Sequence, residues 1–285
     1  MEASAGKGEP TTPFYVIFTD LDATLLDHDT YEWGEALPAL ELCARLRVPV
    51  ILVSSKTRAE MEVLYRGLSL SAPFISENGG GIFCPVGVFE HPPPGAAIDD
   101  GLWKWSCGLP YAVLTRALKE IRDELGWNIR GFSDMDIDEI SDLTGLGREA
   151  SRMAAKREFD EPFVIMDQAS PDMEALHDLA TKRGVTVTQG GRFHHLHGSN
   201  NDKGEATQVV LSWYRKIHDH VISIALGDSP NDFGMLEQAD HPVLVRSDQD
   251  YVNLNKSIPR LRVTHKKGPT GWNSAVLDIL RHKED

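Results

Sequence analysis

Cationic residues are in short supply in this chain. Its 29 lysines and arginines face 43 aspartates and glutamates, a formal net charge of -14 over 285 residues. That deficit argues against a general nucleic-acid binder, because nothing offsets the repulsion of a phosphate backbone. It leaves room for a small anionic substrate, since a local basic pocket with a divalent cation inverts the field at one point. Cysteine is scarce as well. Cys43, Cys84 and Cys107 form neither a CxxC pattern nor a disulfide framework, which points to a reducing compartment. Long apolar runs are missing, and none approaches the length that spans a bilayer. Residues 1–13, MEASAGKGEPTTP, lack the apolar stretch of a signal peptide. They read as a disordered tail, and the expected location is cytoplasmic, away from membranes.

What is present is an ordinary globular composition, 41% hydrophobic and 25% charged. The length suffices for one large domain or two moderate ones. FYVIFT (14–19), VPVILV (48–53), VISIAL (221–226) and PVLV (242–245) are continuous apolar runs of strand length. Continuous rather than alternating hydrophobicity suits strands covered on both faces. Helical patterns lie between them. Thr57 and Glu60 make a capping box ahead of Met61, Leu64, Tyr65 and Leu68, and an apolar stripe runs from Ala206 through Trp213 to Ile217. The alternation predicts an α/β fold with a Rossmann-like, doubly wound parallel sheet, whose ligand sits beyond the carboxyl ends of the strands. Asp20, Ser54 and Asp228 each fall at such an end.

The proline- and glycine-rich stretch 86–101 reads as a domain boundary. The expected organisation is a catalytic core at 14–84 and 201–285, with an α+β cap inserted at 85–200.

Chemistry concentrates in four segments. In Asp20-Leu21-Asp22, one carboxylate can attack phosphorus while the other protonates the leaving oxygen and then serves as base for water. In Gly227-Asp228-Ser229-Pro230-Asn231-Asp232, Asp228 can join Asp20 in an oxygen-rich magnesium site, with Asn231 and Asp232 orienting ligands from behind. Ser54-Ser55-Lys56 opens a helix whose free amides suit phosphate oxygens. Lys203 begins another helix, where an ammonium can hold nucleophile and phosphate together. Each segment alone is commonly a solvated turn or a cap; four at one sheet edge argue for a site.

At these residues the chain resembles the haloacid dehalogenase superfamily of phosphatases: DLDATLL, VSSK, DK at Lys203 and GDSPND match its motifs in order. Ala23 stands where the commonest pattern has glycine, which touches the loop's geometry and leaves both aspartates intact. SSKTRAEM (54–61), SENGG (76–80), KREFDEPF (156–163), GGRFHHLHG (190–198) and GPTGWN (268–273) are similar to the mannosyl-3-phosphoglycerate phosphatase branch. The resemblance implies a magnesium-dependent phosphatase acting on a mannosyl- or glucosyl-3-phosphoglycerate, giving a compatible solute. It implies Asp20 as nucleophile, Asp22 as general acid and base, Ser54 and Lys203 on the phosphoryl oxygens, and magnesium held by Asp20, the Asp22 carbonyl and Asp228.

Ser55, Lys56, Asn78, Lys156, Arg157, Glu161, Gly191 and Arg192 are the expected substrate contacts. An arginine fork suits the glyceryl carboxylate, and acids such as Glu158, Asp160 and Glu161 suit sugar hydroxyls. The same chemistry on another small sugar or polyol phosphate, a phosphotransferase and a silent phosphometabolite sensor remain alternatives, with a monomer or homodimer equally open. Other signals carry less. His195 and His197 share a strand face that His194 does not, without a third metal ligand. The run Asp134, Asp136, Asp138 fails as a calcium loop at Glu139 and Gly145.

Overall fold

The computed structural model describes residues 12–166, 171–189, 192–247 and 257–281. The strands, in chain order, are β1 (Phe14–Thr19), β2 (Val50–Val53), β3 (Phe74–Ser76), β4 (Gly81–Pro85), β5 (Ala97–Asp99) and β6 (Leu102–Ser106). They continue with β7 (Ile129–Gly131), β8 (Asp160–Ile165), β9 (Val185–Gln189), β10 (His194–Gly198), β11 (Val221–Gly227), β12 (His241–Arg246) and β13 (Arg262–Lys267). The helices are α1 (Leu37–Leu46), α2 (Arg58–Gly67), α3 (Tyr111–Leu125), α4 (Ile137–Thr144), α5 (Arg148–Ala154), α6 (Met173–Lys182), α7 (Lys203–Arg215), α8 (Phe233–Glu237) and α9 (Gly268–Arg281).

Alternate residues of β1 explain the layering. Ile17 packs with α1, α2 and α9 on one face, while Val16 and Phe18 pack with α7 and α8 on the other. A strand buried on both sides must be apolar throughout, as FYVIFT is. The large sheet runs β13-β12-β11-β1-β2-β3-β4-β6-β5. It is parallel from β13 to β3 and antiparallel from β3 outward. This is the expected doubly wound core.

The expected boundary at residue 85 needs correction. β5 and β6 extend the large sheet through β4, so the core continues to Ser106. The proline- and glycine-rich stretch is the connection inside this meander, with Phe89 and Trp103 packed under α7. Such residues mark turns as readily as linkers. Two smaller expectations shift as well. Strand β2 begins only after Pro49, and α7 stops at Arg215, leaving Ile217 exposed. The tail 1–13 lies outside the described residues except for its last two.

The second sheet, β7-β8-β10-β9, is antiparallel and lies wholly between Ile129 and Gly198. Its apolar face carries Phe163, Val187 and Leu196 against α3 and α6, a separate small core. Asp136 caps α4 with Glu139 closing the box, which accounts for the acidic run without a cation.

The two sheets meet at residues 77–80. Glu77 and Asn78 both adopt left-handed backbone, at φ 49° and 54°, and this turns the Glu77 carboxylate inward. It accepts hydrogen bonds from the amides of Glu158 (3.1 Å) and Phe159 (2.8 Å), just ahead of β8. Asn201 Nδ2 donates to the carbonyls of Phe159 (2.9 Å) and Glu77 (3.3 Å). The Gly80 carbonyl accepts from the amides of Cys107 and Gly108. A side chain at Gly80 would place its Cβ 2.3 Å from that of Phe159, so only glycine admits this approach.

Burial pushes the Glu77 carboxyl up to about 7 from an ordinary 4.5, against the lowering effects of Arg157 and the Phe159 amide. A raised folded value means that the folded chain keeps a proton that the unfolded chain has already lost. The contribution is complete below about 4.5 and fades as pH rises through about 7. Thermal melts between pH 4.5 and 8 should therefore show the wild type losing more stability with rising pH than Glu77→Gln, which cannot titrate. Parallel curves would contradict this account.

Candidate active site

Asp20 stands one residue past β1, where its amide donates to the Leu226 carbonyl (2.9 Å) and so fixes the loop to β11. Thr19 Oγ1 donates to the Asp20 carbonyl (2.7 Å) and accepts from the buried Trp272 indole (2.9 Å). The nucleophile loop is thus tied to α9 from below. Ala23 takes φ 59°, the left-handed conformation that favours glycine. Alanine is held there at a cost of roughly 1 kcal/mol.

Lys203, 2% exposed at the first position of α7, joins two carboxylates. Its Nζ lies 2.6 Å from Asp20 Oδ1 and 2.7 Å from Asp232 Oδ1. Asp202 caps the helix that places it, accepting from the Glu205 amide. The other Asp232 oxygen accepts from the amides of Asp228 and Ser229 and from the Ser229 hydroxyl, all at 3.1 Å. Gly227 makes this turn possible, because a Cβ there would lie 2.4 Å from Asp232 Cβ. Asp228 itself accepts from Thr24 Oγ1 (3.3 Å).

The carboxylate oxygens of Asp20, Asp228 and Asp232 come within 4.8 Å of one another, around a single ammonium. The imbalance appears in their protonation. Burial, reinforced by Asp232 and Asp22 against Lys203, pushes Asp20 up to about 8. Burial and Asp232 push Asp228 up to about 6. Burial works against the charge on Lys203, yet Asp20 and Asp232 outweigh it and raise its pKa. A cluster of hard oxygen donors short of positive charge fits a divalent cation. Asp232 is already fully hydrogen-bonded, which suits the supporting place expected of it behind Asp20 and Asp228.

Asp22 stands beside this cluster, its Oδ2 paired with Lys56 Nζ at 2.9 Å while Oδ1 is buried without a partner. Burial opposes the charge on Lys56, and the facing Asp22 overcomes it and raises its pKa. Ser54, 1% exposed at the end of β2, accepts from the Lys56 amide at 3.2 Å. Asn78 Oδ1 accepts from Asn231 Nδ2 at 3.4 Å, joining the loop after β3 to the loop after β11. Asp20, Asp22, Ser54, Lys56, Asn78, Lys203, Asp228, Asn231 and Asp232 therefore lie at one edge of the large sheet.

The expected contacts from 85–200 divide. Arg157 reaches the core: its Nη1 donates to the Ser55 carbonyl (2.9 Å) and lies 3.4 Å from Asp160 Oδ2. Lys156 is exposed close by. Arg192 is exposed and donates to the Leu143 carbonyl. Gly191 lies outside the described residues. Glu161 does not belong to the site. It points to the helix side of β8, fully buried, bonded to the Tyr111 and Ser133 hydroxyls and to the Ser133 amide. The alternation of side chains along a strand puts Asp160, not Glu161, on the face of His195 and His197. Glu158 pairs with Lys104. Four partners had no assigned role in the sequence: Thr24, Glu77, Thr19 and Asn201. Glu77 and Asn201 lay inside or beside recognised motifs, and their spacing carried no sign of the contact they share.

Residues 164–256 match the haloacid dehalogenase-like hydrolase family. The glucosyl-3-phosphoglycerate/mannosyl-3-phosphoglycerate phosphatase of Methanococcoides burtonii is 37% identical over 266 residues, 93% of this chain and 97% of the relative. The protein of the same description from Persephonella marina is 36% identical over 275 residues, 94% of this chain and 98% of the relative. Among solved structures, a phosphatase of the haloalkanoate enzyme superfamily from Bacteroides thetaiotaomicron superposes with a TM-score of 0.64 at 16% identity, covering 99% of both chains, which supports the fold. At the two relatives' identity and coverage the chain belongs to the glucosyl-3-phosphoglycerate/mannosyl-3-phosphoglycerate phosphatase family of haloacid dehalogenase-like hydrolases, which are phosphoric monoester hydrolases.

Proposed function

We propose that the chain hydrolyses the phosphate ester of mannosyl- or glucosyl-3-phosphoglycerate, releasing phosphate and the glycosylglycerate, through an aspartyl-phosphate on Asp20. The observation that carries the reading is the buried Asp20–Lys203–Asp232 group beside the Asp22–Lys56 pair. The substrate class follows from the relatives' printed descriptions.

The chemistry follows from what these side chains hold. An Asp20 oxygen attacks phosphorus as the bond to the glyceryl oxygen breaks, and Asp22 gives that oxygen its proton. Asp22 then takes a proton from water as the water oxygen attacks the aspartyl-phosphate, and Asp20 is restored as phosphate leaves. Lys203 keeps Asp20 in place and offers a fixed positive charge to the phosphoryl oxygens. Ser54 and the amides opening α2 hold the same group. Asp20, the Asp22 carbonyl and Asp228 would hold Mg2+, which when bound neutralises charge on the transferring phosphoryl group. Arg157, bonded to the Ser55 carbonyl, takes the glyceryl carboxylate with Lys56. Lys156, Arg192, Asn78 and Gly191 are retained as substrate contacts on the sequence resemblance.

Phosphate release from both glycosyl-3-phosphoglycerates should require Mg2+, stop with EDTA, and fall by roughly a thousandfold or more in Asp20→Asn. Release unaffected by the substitution would remove Asp20 as nucleophile. Activity confined to other phosphate esters would keep the chemistry and discard this substrate.

Asp22→Asn separates the two half-reactions. Nitrophenolate leaves without a proton, whereas a glyceryl alkoxide does not. With p-nitrophenyl phosphate the variant should release a burst of about one nitrophenol per site and then turn over slowly, since the missing base stalls hydrolysis of the aspartyl-phosphate. With the glycosyl ester, even the burst should vanish. Steady wild-type turnover of either ester would exclude Asp22 from both roles.

A further inference from the structure

The second sheet has two unlike faces. One is apolar and covered by α3 and α6. The other is polar: His195 stands opposite Pro162 and Thr188, and His197 opposite Asp160 and Thr186. Asp160 is 1% exposed, and a carboxylate so placed needs partners. Its Oδ2 is 2.8 Å from His195 Nδ1 and 3.4 Å from Arg157 Nη1, while Oδ1 is buried with no partner. Burial works against its charge, yet the His195 ring and Arg157 hold the Asp160 carboxyl below the usual range.

The three histidines of β10 are not equivalent. His194 stacks on Phe163 on the other face. His197 is spent, its Nδ1 2.8 Å from the Gly198 carbonyl and its Nε2 3.1 Å from Thr188 Oγ1. His195 has Nδ1 bound to a carboxylate and, among the described residues, no partner on Nε2, with its side chain 17% exposed. An ionised Asp160 takes the hydrogen of Nδ1, so the neutral ring presents an acceptor lone pair at Nε2. The same network leads to the catalytic edge, because Arg157, bonded to Asp160, also holds the carbonyl of Ser55, the residue after Ser54.

We infer that His195 is a specificity-determining residue, its Nε2 accepting a hydrogen bond from a hydroxyl of the sugar half of the substrate while Asp160 fixes the ring. The phosphoryl end is held by the core and the sugar end by this face of the second sheet. The inference rests on a sugar-bearing phosphate ester as substrate, the reading proposed above.

The test compares two esters in the full-length enzyme with Mg2+: glycosyl-3-phosphoglycerate and the sugarless p-nitrophenyl phosphate. In His195→Ala, the ratio of kcat/KM for the sugar ester to that for the sugarless one should fall about tenfold, mainly through KM. His195→Gln, whose amide reaches toward the place of Nε2, should recover part of the loss. A partly misfolded variant lowers both activities together and leaves the ratio intact. A ratio within about twofold of wild type in both variants overturns the assignment. If the wild type leaves glycosyl-3-phosphoglycerate untouched, the proposed substrate fails separately. Hexose 6-phosphate then replaces it, and the same ratio decides for or against His195.

Discussion

A single buried ammonium organises the catalytic end of this protein. Lys203 stands between Asp20 from the loop after β1 and Asp232 from the loop after β11, at 2.6 and 2.7 Å. Two carboxylates at that depth repel each other and resist ionisation, so the lysine is what lets them coexist. Deleting one partner of such a buried group typically costs about 3–5 kcal/mol, because the others are left uncompensated. The surrounding structure serves this contact. Asp202 caps the helix that begins at Lys203, and Gly227 clears the space into which Asp232 folds. The adjacent strands β1 and β11 bring the two loops side by side.

The compensation is incomplete. Asp20 and Asp228 remain hard to ionise where one lysine, Lys203, serves a cluster of three acids. The Mg2+ proposed for this cluster would supply the missing positive charge. The overall acidity of the chain is then no obstacle to an anionic substrate, since the field at this edge is set by a few charges at close range.

The catalytic core was legible in the sequence because its signals are local. β1 and β11 are continuous apolar runs that end where the chemistry begins, and α2 announces itself by a capping box that the structure retains. What was not legible depended on contacts between distant segments. The stretch 86–101 looked like a linker, and only its pairing through β4 and β6 reveals it as part of the core sheet. Glu161 and Asp160 are adjacent and chemically alike, but strand register sends one under α3 and the other to His195. Glu77 acquires its place from two successive left-handed residues, a conformation that asparagine favours but glutamate does not advertise.

Residues 77–80 touch both connections to the second sheet, at 107–108 and 201, and the segment 158–159 just ahead of β8. Arg157 on the Ser55 carbonyl and Thr57 on the Met153 carbonyl add further ties beside α2, so the two sheets are joined along a line rather than at a point. Asp160 and Arg157 sit on that line. None of these ties reaches β9, at the far edge of the second sheet. A seam of that kind resists twisting where a single pivot would not.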